Sequence, residues 1–238
     1  MKIALFSDIH ANLPALEAMF RQLDDESVDV IYCLGDLVGY HIWPNEVIAA
    51  IRARRIPVLM GNHDERVGRL ATSGQLDGGA NYAYRLIDDA GRAYLKNLPA
   101  HIRLEYRVEG MRRDVLLVHG SPHRNDEYVL EDTAEGTAIA MMEEAQASVL
   151  CVAHSHLPYH RIVAAAGGER YHMINTGSVG KPKDGDPRGC YVVLDLSGGI
   201  SDLQVRIERV AYDVHAAAEA ILQSPLPNEL ADRLLNAY

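Results

Sequence analysis

The 238-residue chain is long enough to bury a sizeable core as one large domain, and 48% hydrophobic with 24% charged residues is an ordinary globular balance. A net charge of −10 and a pI near 5.5 argue against non-specific binding to nucleic acid or an anionic membrane, while leaving room for a small positive site. No run approaches the ~20 apolar residues of a membrane span, and "MKIALFSD" has too short an apolar stretch for a secretory signal, so a cytoplasmic protein is expected.

In chain order, "KIALFSD" reads as a short buried strand that ends in polar residues. Asn12 can cap the helix that follows, Pro14 suits its first turn, and Leu13, Leu16, Met19, Phe20 and Leu23 recur at helical spacing. "VDVIYCLGD" is a second strand. "PNEVIAAIRARR" is a second helix, with Pro44 at its start and basic residues at its end. "IPVLMGN" reads as a third strand, and this alternation implies parallel strands with right-handed crossovers.

Residues 62–98 look helical and polar, with Gly78-Gly79 as a break. "HIRLEYRV" and "DVLLVHG" read as strands paired through "EGMRR". "TAEGTAIAMMEEAQ" is a helix and "SVLCVAHSH" a strand. From Tyr159 to Tyr212 four strand patterns follow, for which antiparallel pairing is expected, and the tail from Asp213 holds one or two amphipathic helices. Cys33, Cys151 and Cys190 are odd in number, widely spaced and set in or beside apolar runs, which reads as buried inert thiols. Periodicity by itself supports an α/β fold with a mixed sheet.

The strand ends share one chemistry. The first gives Asp8 and His10, the second Asp36, the third Asn62 and His63, "DVLLVHG" gives His119, and "SVLCVAHSH" gives His154 and His156. Carboxyl ends of parallel strands form one rim where ligands bind, so these residues would build a compact N/O cluster. In "DIH" and "HSH" the polar residues stand at i and i+2, which on extended backbone project to one side. Singly each signal is weak, since Asp-x-His is common and "GD" is usually a turn. Jointly they are not. The other six histidines, His41, His101, His123, His160, His172 and His215, keep an ordinary structural reading.

"SDIHAN", "LGDLVGY", "GNHDE", "VHGSP" and "AHSHLP" resemble, in order, the motifs of the calcineurin-like metallophosphoesterases, and most of all their small single-domain bacterial and archaeal members of phosphodiesterase type. "NTGSVGKPKDGDPRGCYVVLD" resembles their C-terminal strand-turn segment. The resemblance implies a single domain over residues 1–238 and a four-layer α-β-β-α sandwich of two mixed sheets flanked by helices.

It also implies two metal ions side by side. Asp8, His10 and His156 would hold one, Asn62, His119 and His154 the other, and Asp36 would bridge them. Imidazole with carboxylate and no thiolate suits Mn²⁺ first, then Fe, Zn²⁺, Co²⁺ or Ni²⁺, and suits Mg²⁺ or Ca²⁺ less. With two divalent ions and a bridging hydroxide the site would stay about +1 within a chain of −10, enough to draw a phosphate oxyanion. The implied reaction is phosphate-ester hydrolysis by in-line attack of the metal-bridging hydroxide. His63 would be the general acid, and Asp64 would raise its pKa and orient it. Glu65 reads as a solvated acid early in a helix.

One departure stands out. The family usually has glycine before the paired histidines, and here it is Ala153, which fits only if φ there is negative. His41 and Trp43 read either as loop packing or as a wall of the substrate pocket. His123, Arg124, Asn125, Lys181, Lys183 and Arg188 read either as solvated groups or as substrate contacts. The expected partner is a small phosphate ester, with nucleotides among the classes open to it and diesters preferred by resemblance alone. Long nucleic acid and membrane are not expected, and a homodimer is open. The competing reading is a metal-binding, non-catalytic scaffold of the same fold that engages a protein partner.

Overall fold

The computed structural model describes residues 1–73, 79–108, 111–164 and 167–238. Strand β1 (Lys2–Phe6) leads through helix α1 (Leu13–Asp24) to β2 (Val30–Cys33) and α2 (Pro44–Ala53). Helices α3 (Asn62–Ser73), α4 (Tyr82–Arg85) and α5 (Asp89–Lys96) follow. Next come β3 (His101–Leu104), the short antiparallel pair β4 (Arg107–Val108) and β5 (Met111–Arg112), and β6 (Val115–Val118). Helix α6 (Glu135–Glu144) precedes β7 (Val149–Val152), β8 (Tyr159–Ala164), β9 (Arg170–Asn175), β10 (Gly189–Asp195) and β11 (Gln204–Val210), and the chain closes on α7 (Val214–Leu222) and α8 (Glu229–Asn236).

The strands form two mixed sheets, ordered β11-β10-β1-β2 and β3-β6-β7-β9-β8. β1 runs parallel to β2 and antiparallel to β10, while β7 runs parallel to both β6 and β9. Alternation explains the layering. Ile3 and Leu5 face one way, into a core shared with Val115, Leu117, Val149, Cys151 and Ile174 of the other sheet. Ala4 and Phe6 face the other way, onto Leu16, Met19 and Phe20 of α1 and Val47, Ile48 and Ile51 of α2. Beyond the second sheet, Leu116, Val118, Leu150 and Val152 pack on Ala138, Met141 and Met142 of α6. A sheet covered on both faces needs apolar residues at every position, which is why its strands read as unbroken apolar runs rather than alternating ones. Each fully buried Leu, Ile or Phe contributes roughly 1.5–3 kcal/mol. The four-layer expectation holds.

Asn12 does cap α1, its side chain accepting from the Ala15 amide at 3.3 Å. All three cysteines are buried and unpaired with one another. The expected third strand is not formed. Val58 makes a single parallel bridge to Cys33. Pro57 offers no N–H to a ladder, and the chain then bends to bring Gly61 against Asp36. β3 and β6 pair antiparallel as expected. Gly78, Glu109 and Gly110 lie outside the described residues. Among the described residues, no helix is long and apolar enough to cross a membrane.

Candidate metal centre

Both sheets deliver side chains to one place. Asp8 and His10 follow β1, Asp36 follows β2, His119 follows β6, His154 and His156 follow β7, and Asn62 and His63 open α3. The paired residues do not lie on extended backbone, contrary to the i, i+2 expectation. Asp8, His10, Asp36, His154 and His156 all take left-handed conformations, with φ of 52°, 51°, 57°, 63° and 62°. Such conformations cost non-glycine residues on the order of 1–3 kcal/mol each. Backbone hydrogen bonds between the first two loops hold them in place: Asp8 N to Gly35 O at 3.0 Å, His10 N to Asp36 O at 3.0 Å and Ala11 N to Leu37 O at 2.8 Å. Ala153 is not among the left-handed residues, so alanine suits that position. The loops approach closely at Gly61, where a Cβ would fall 2.1 Å from Asp36 Oδ1.

The side chains converge. His156 Nε2 lies 3.1 Å from Asp8 Oδ1, and His10 Nε2 lies 3.5 Å from the same oxygen. Asp36 Oδ2 sits between the two halves of the cluster, 3.7 Å from His10 Nε2 and 3.3 Å from His119 Nε2. Asn62 Oδ1 is 3.0 Å from His119 Nε2. Among the described residues, three groups have spacing that could hold a metal ion: Asp8–His10–His156, Asp36–His119–His154 and His10–Asp36–His63.

The hydrogen-bond pattern tests whether these residues suit a cation. His10 Nδ1 donates to Val38 O at 3.0 Å, His119 Nδ1 to Leu34 O at 2.7 Å, and His156 Nδ1 to Lys181 O. Carbonyls accept only, so each Nδ1 carries a hydrogen, and a neutral ring turns its Nε2 lone pair into the cluster. The His10 and His156 lone pairs then face each other at 3.2 Å. Asp8 Oδ1 and Asp36 Oδ2 are buried with no hydrogen-bond partner. Converging lone pairs and unpaired carboxylate oxygens in a buried place require positive charge, and the donor set fits divalent transition ions. Without them a proton compensates. Burial works against a charged His119, but Asp36 outweighs it and carries its pKa up to about 10. Burial likewise opposes the charged forms of Asp8 and Asp36, yet the surrounding histidines hold both below the usual carboxylate range.

Asp8, His10, Asp36, His119 and His156 are buried, whereas Asn62, His63 and His154 are partly exposed and form the rim. The expected contact between Asp64 and His63 is absent. Asp64 turns into the protein and accepts from Asp36 N at 2.8 Å, Leu37 N at 3.0 Å and Gly61 N at 3.0 Å. Nor is the His63 pKa raised. Burial drives it down to about 3, with Asp36 the main opposing influence. The partner of His63 is Tyr84, whose hydroxyl lies 2.5 Å from Nδ1.

Of the residues with two readings, His41 is loop packing, buried with Nδ1 donating to His10 O at 2.9 Å. Arg124 pairs with Asp126 and Arg188 with Asp186. His123 lies 3.9 Å from Glu144. Glu65 is more engaged than expected, accepting from Asn125 Nδ2 at 2.7 Å and pairing with Arg69. Lys181 is 2% exposed with its ammonium 4.9 Å from the centre of the Tyr40 ring. Three tyrosines were missed from the sequence. Tyr40 packs edge-on against His10 at 4.7 Å, Tyr128 stacks on His154 at 4.5 Å and 17°, and Tyr84 meets His63. Only Tyr40, next to the "GD" motif, carried any signal of its place.

Residues 1–199 match the calcineurin-like phosphoesterase superfamily domain, and the chain belongs to that family. By class it is a phosphoric ester hydrolase of a divalent-metal-dependent family. It is 30% identical to the uncharacterized protein MJ0912 of Methanocaldococcus jannaschii, covering 98% of this chain and 96% of the relative. It is similar to a metallophosphoesterase from Sphaerobacter thermophilus, with a TM-score of 0.80 and 28% identity over 100% of this chain and 99% of the other. It shares its fold with hypothetical protein PH1004 from Pyrococcus horikoshii OT3, with a TM-score of 0.77 and 24% identity over 98% and 97% of the two chains.

Proposed function

We propose that the protein is a binuclear-metal phosphodiesterase acting on a small phosphate ester, with Mn²⁺ as the first metal to test. Asp8, His10 and His156 would hold one ion, Asn62, His119 and His154 the second, and Asp36 would serve both. The observation that carries this reading is the meeting of His10 and His156 Nε2 at 3.2 Å beside the unpaired Asp8 Oδ1. Their tautomers are fixed by carbonyls behind them. Bound divalent ions supply the charge that acidifies a water and neutralises phosphoryl oxygens.

The chain's own residues do the rest. Asp8 and Asp36 aim oxygens that nothing else satisfies. The rim of Asn62, His63 and His154 is where an ester reaches the centre. His63 donates a hydrogen bond from Nε2 to the departing oxygen as its bond to phosphorus breaks, and the proton that oxygen finally takes is the one given up by the attacking water. Tyr128, 56% exposed on top of His154, offers a flat face to an aromatic or nucleobase portion of the ester. We read residues 1–238 as one domain, supported by packing of Ala217, Ile221 and Leu234 from the last two helices against Ala83, Tyr40 and Ile42.

The test is hydrolysis of bis-p-nitrophenyl phosphate beside p-nitrophenyl phosphate by protein stripped of metal and refilled with Mn²⁺. Metal-dependent turnover of the diester, lost by roughly 10²-fold or more in His63→Ala, is expected. Turnover of the monoester alone would overturn the diester assignment. No turnover with two ions bound would overturn the hydrolase role of this site.

A further inference from the structure

We propose that Tyr84 is the positioning residue for His63: its hydroxyl fixes the plane of the imidazole and places the ring's proton on Nε2. The inference rests on the reading of His63 as the donor to the leaving oxygen. It goes beyond that reading by naming what orients the donor, since the neighbouring carboxylate Asp64 is committed to three backbone amides elsewhere.

The contact is built, not incidental. Tyr84 is 2% exposed, its hydroxyl is 2.5 Å from His63 Nδ1, and the two rings lie within 18° of parallel. The Arg66 guanidinium lies over the Tyr84 ring at 5.3 Å and bonds Asn81 Oδ1 at 3.0 Å. Arg92 grips the Tyr84 carbonyl at 2.6 Å and the Ile87 carbonyl at 3.0 Å, fixing the short helix that carries the tyrosine. Room for the contact depends on Gly39, where a Cβ would fall 2.6 Å from His63 Nδ1 and 3.3 Å from the Tyr84 oxygen.

The direction of the hydrogen bond follows from chemistry. Among the described residues the Tyr84 hydroxyl meets no other acceptor. Burial keeps it a phenol, well above its ordinary pKa. A phenol with a single acceptor donates, so Nδ1 accepts and a neutral imidazole carries its hydrogen on Nε2. A carboxylate in the same place would do the opposite. It would draw the hydrogen to Nδ1 and leave Nε2 with only a lone pair. Tyrosine therefore matches a histidine whose task is to hold an Nε2–H hydrogen-bond donor against the leaving oxygen while remaining neutral.

The experiment has two arms. The first uses the Zn²⁺-loaded protein and long-range ¹H–¹⁵N correlation spectra of the histidine rings, which read the tautomer without any turnover. In the wild type His63 is expected as a single Nε2–H form, and in Tyr84→Phe as a mixture. The second measures a series of aryl phosphate diesters with leaving groups from good to poor. Tyr84→Phe should slow the poor leaving groups about 10- to 100-fold while barely changing the best, and His63→Ala/Tyr84→Phe should be no slower than His63→Ala. A wild-type His63 with its hydrogen on Nδ1 overturns the proposal. So does a Tyr84→Phe that slows every ester equally, because that is the mark of a merely structural tyrosine. If no ester is hydrolysed, the hydrolase reading of the site fails, and the spectra still decide where the proton sits.

Discussion

The carboxylate of Asp64 accepts the amide of Asp36 at 2.8 Å and that of Leu37 at 3.0 Å, so the start of α3 is locked onto the loop after β2. Asp64 is fully buried, and burial together with the Asp36 charge pushes its pKa upward. Its role is therefore to shape the loop that carries Asp36. Asp64→Asn would set an NH₂ against backbone N–H donors, and a loss of about 2–3 kcal/mol is expected. Urea unfolding of the metal-free protein reads it directly. A fully stable variant with a shifted pH–rate profile would instead favour a direct action on His63.

Metal uptake should release protons. In the metal-free protein His119 is held protonated, with a pKa of about 10, and an ion must displace that proton. Affinity should fall as pH drops from 8 to 6, by about tenfold per unit for each proton displaced. Calorimetry in buffers of different ionisation enthalpy measures the release. An affinity independent of pH across that range would exclude a displaced His119 proton.

Gly61→Ala places a methyl on Asp36, 2.1 Å from Oδ1 in the present geometry. The loops must separate or Asp36 must swing out, at roughly 1–3 kcal/mol. Metal content per chain, measured after dialysis by elemental analysis, is expected to fall. Retention of wild-type metal content and activity would show that the loops yield without moving Asp36.

Far from the rim, His160 Nε2 and His172 Nδ1 meet at 3.0 Å with rings 13° from parallel. Burial, followed by the nearby His160, lowers the His172 pKa from 6.5 to about 4. The folded protein keeps this ring neutral while the unfolded chain protonates it near 6.5, so its contribution is complete above 6.5 and is lost as pH falls toward 4. Allowing for the solvent that reaches the pair, the loss is about 1–2 kcal/mol. Thermal melts between pH 7.5 and 4.5 should show His172→Phe losing less stability with acid than the wild type. Parallel curves would refute the assignment.

Much of the site was legible because Asp8, Asp36, His119, His154 and His156 each stand where an apolar run stops, and strand ends meet at one rim. The strand pattern exposed an α/β fold with a mixed sheet for a similar reason, since a sheet buried on both faces writes continuous apolar runs, whereas the division into two sheets came from the family resemblance. The tie between His63 and Asp64 was misjudged because consecutive residues on a helix point about 100° apart. One faces the rim and the other the Asp36 loop. Tyr84 left no trace in its local sequence. It arrives from a four-residue helix 21 positions downstream, and only the packing of that helix brings it to His63. The strand expected at "IPVLMGN" failed where Pro57 and the close approach of Gly61 outweighed an apolar pattern.

The donors of the candidate centre are divided between the layers, with Asp8, His10 and Asp36 on loops of one sheet and His119, His154 and His156 on loops of the other. An ion shared among them would work as a clasp across the sandwich. Opening the layers would mean giving up the ion, so occupancy would slow unfolding and starvation for metal would hasten it. In a cell short of the right ion, such a chain would be lost to proteolysis as well as idle, and its abundance would track the metal supply.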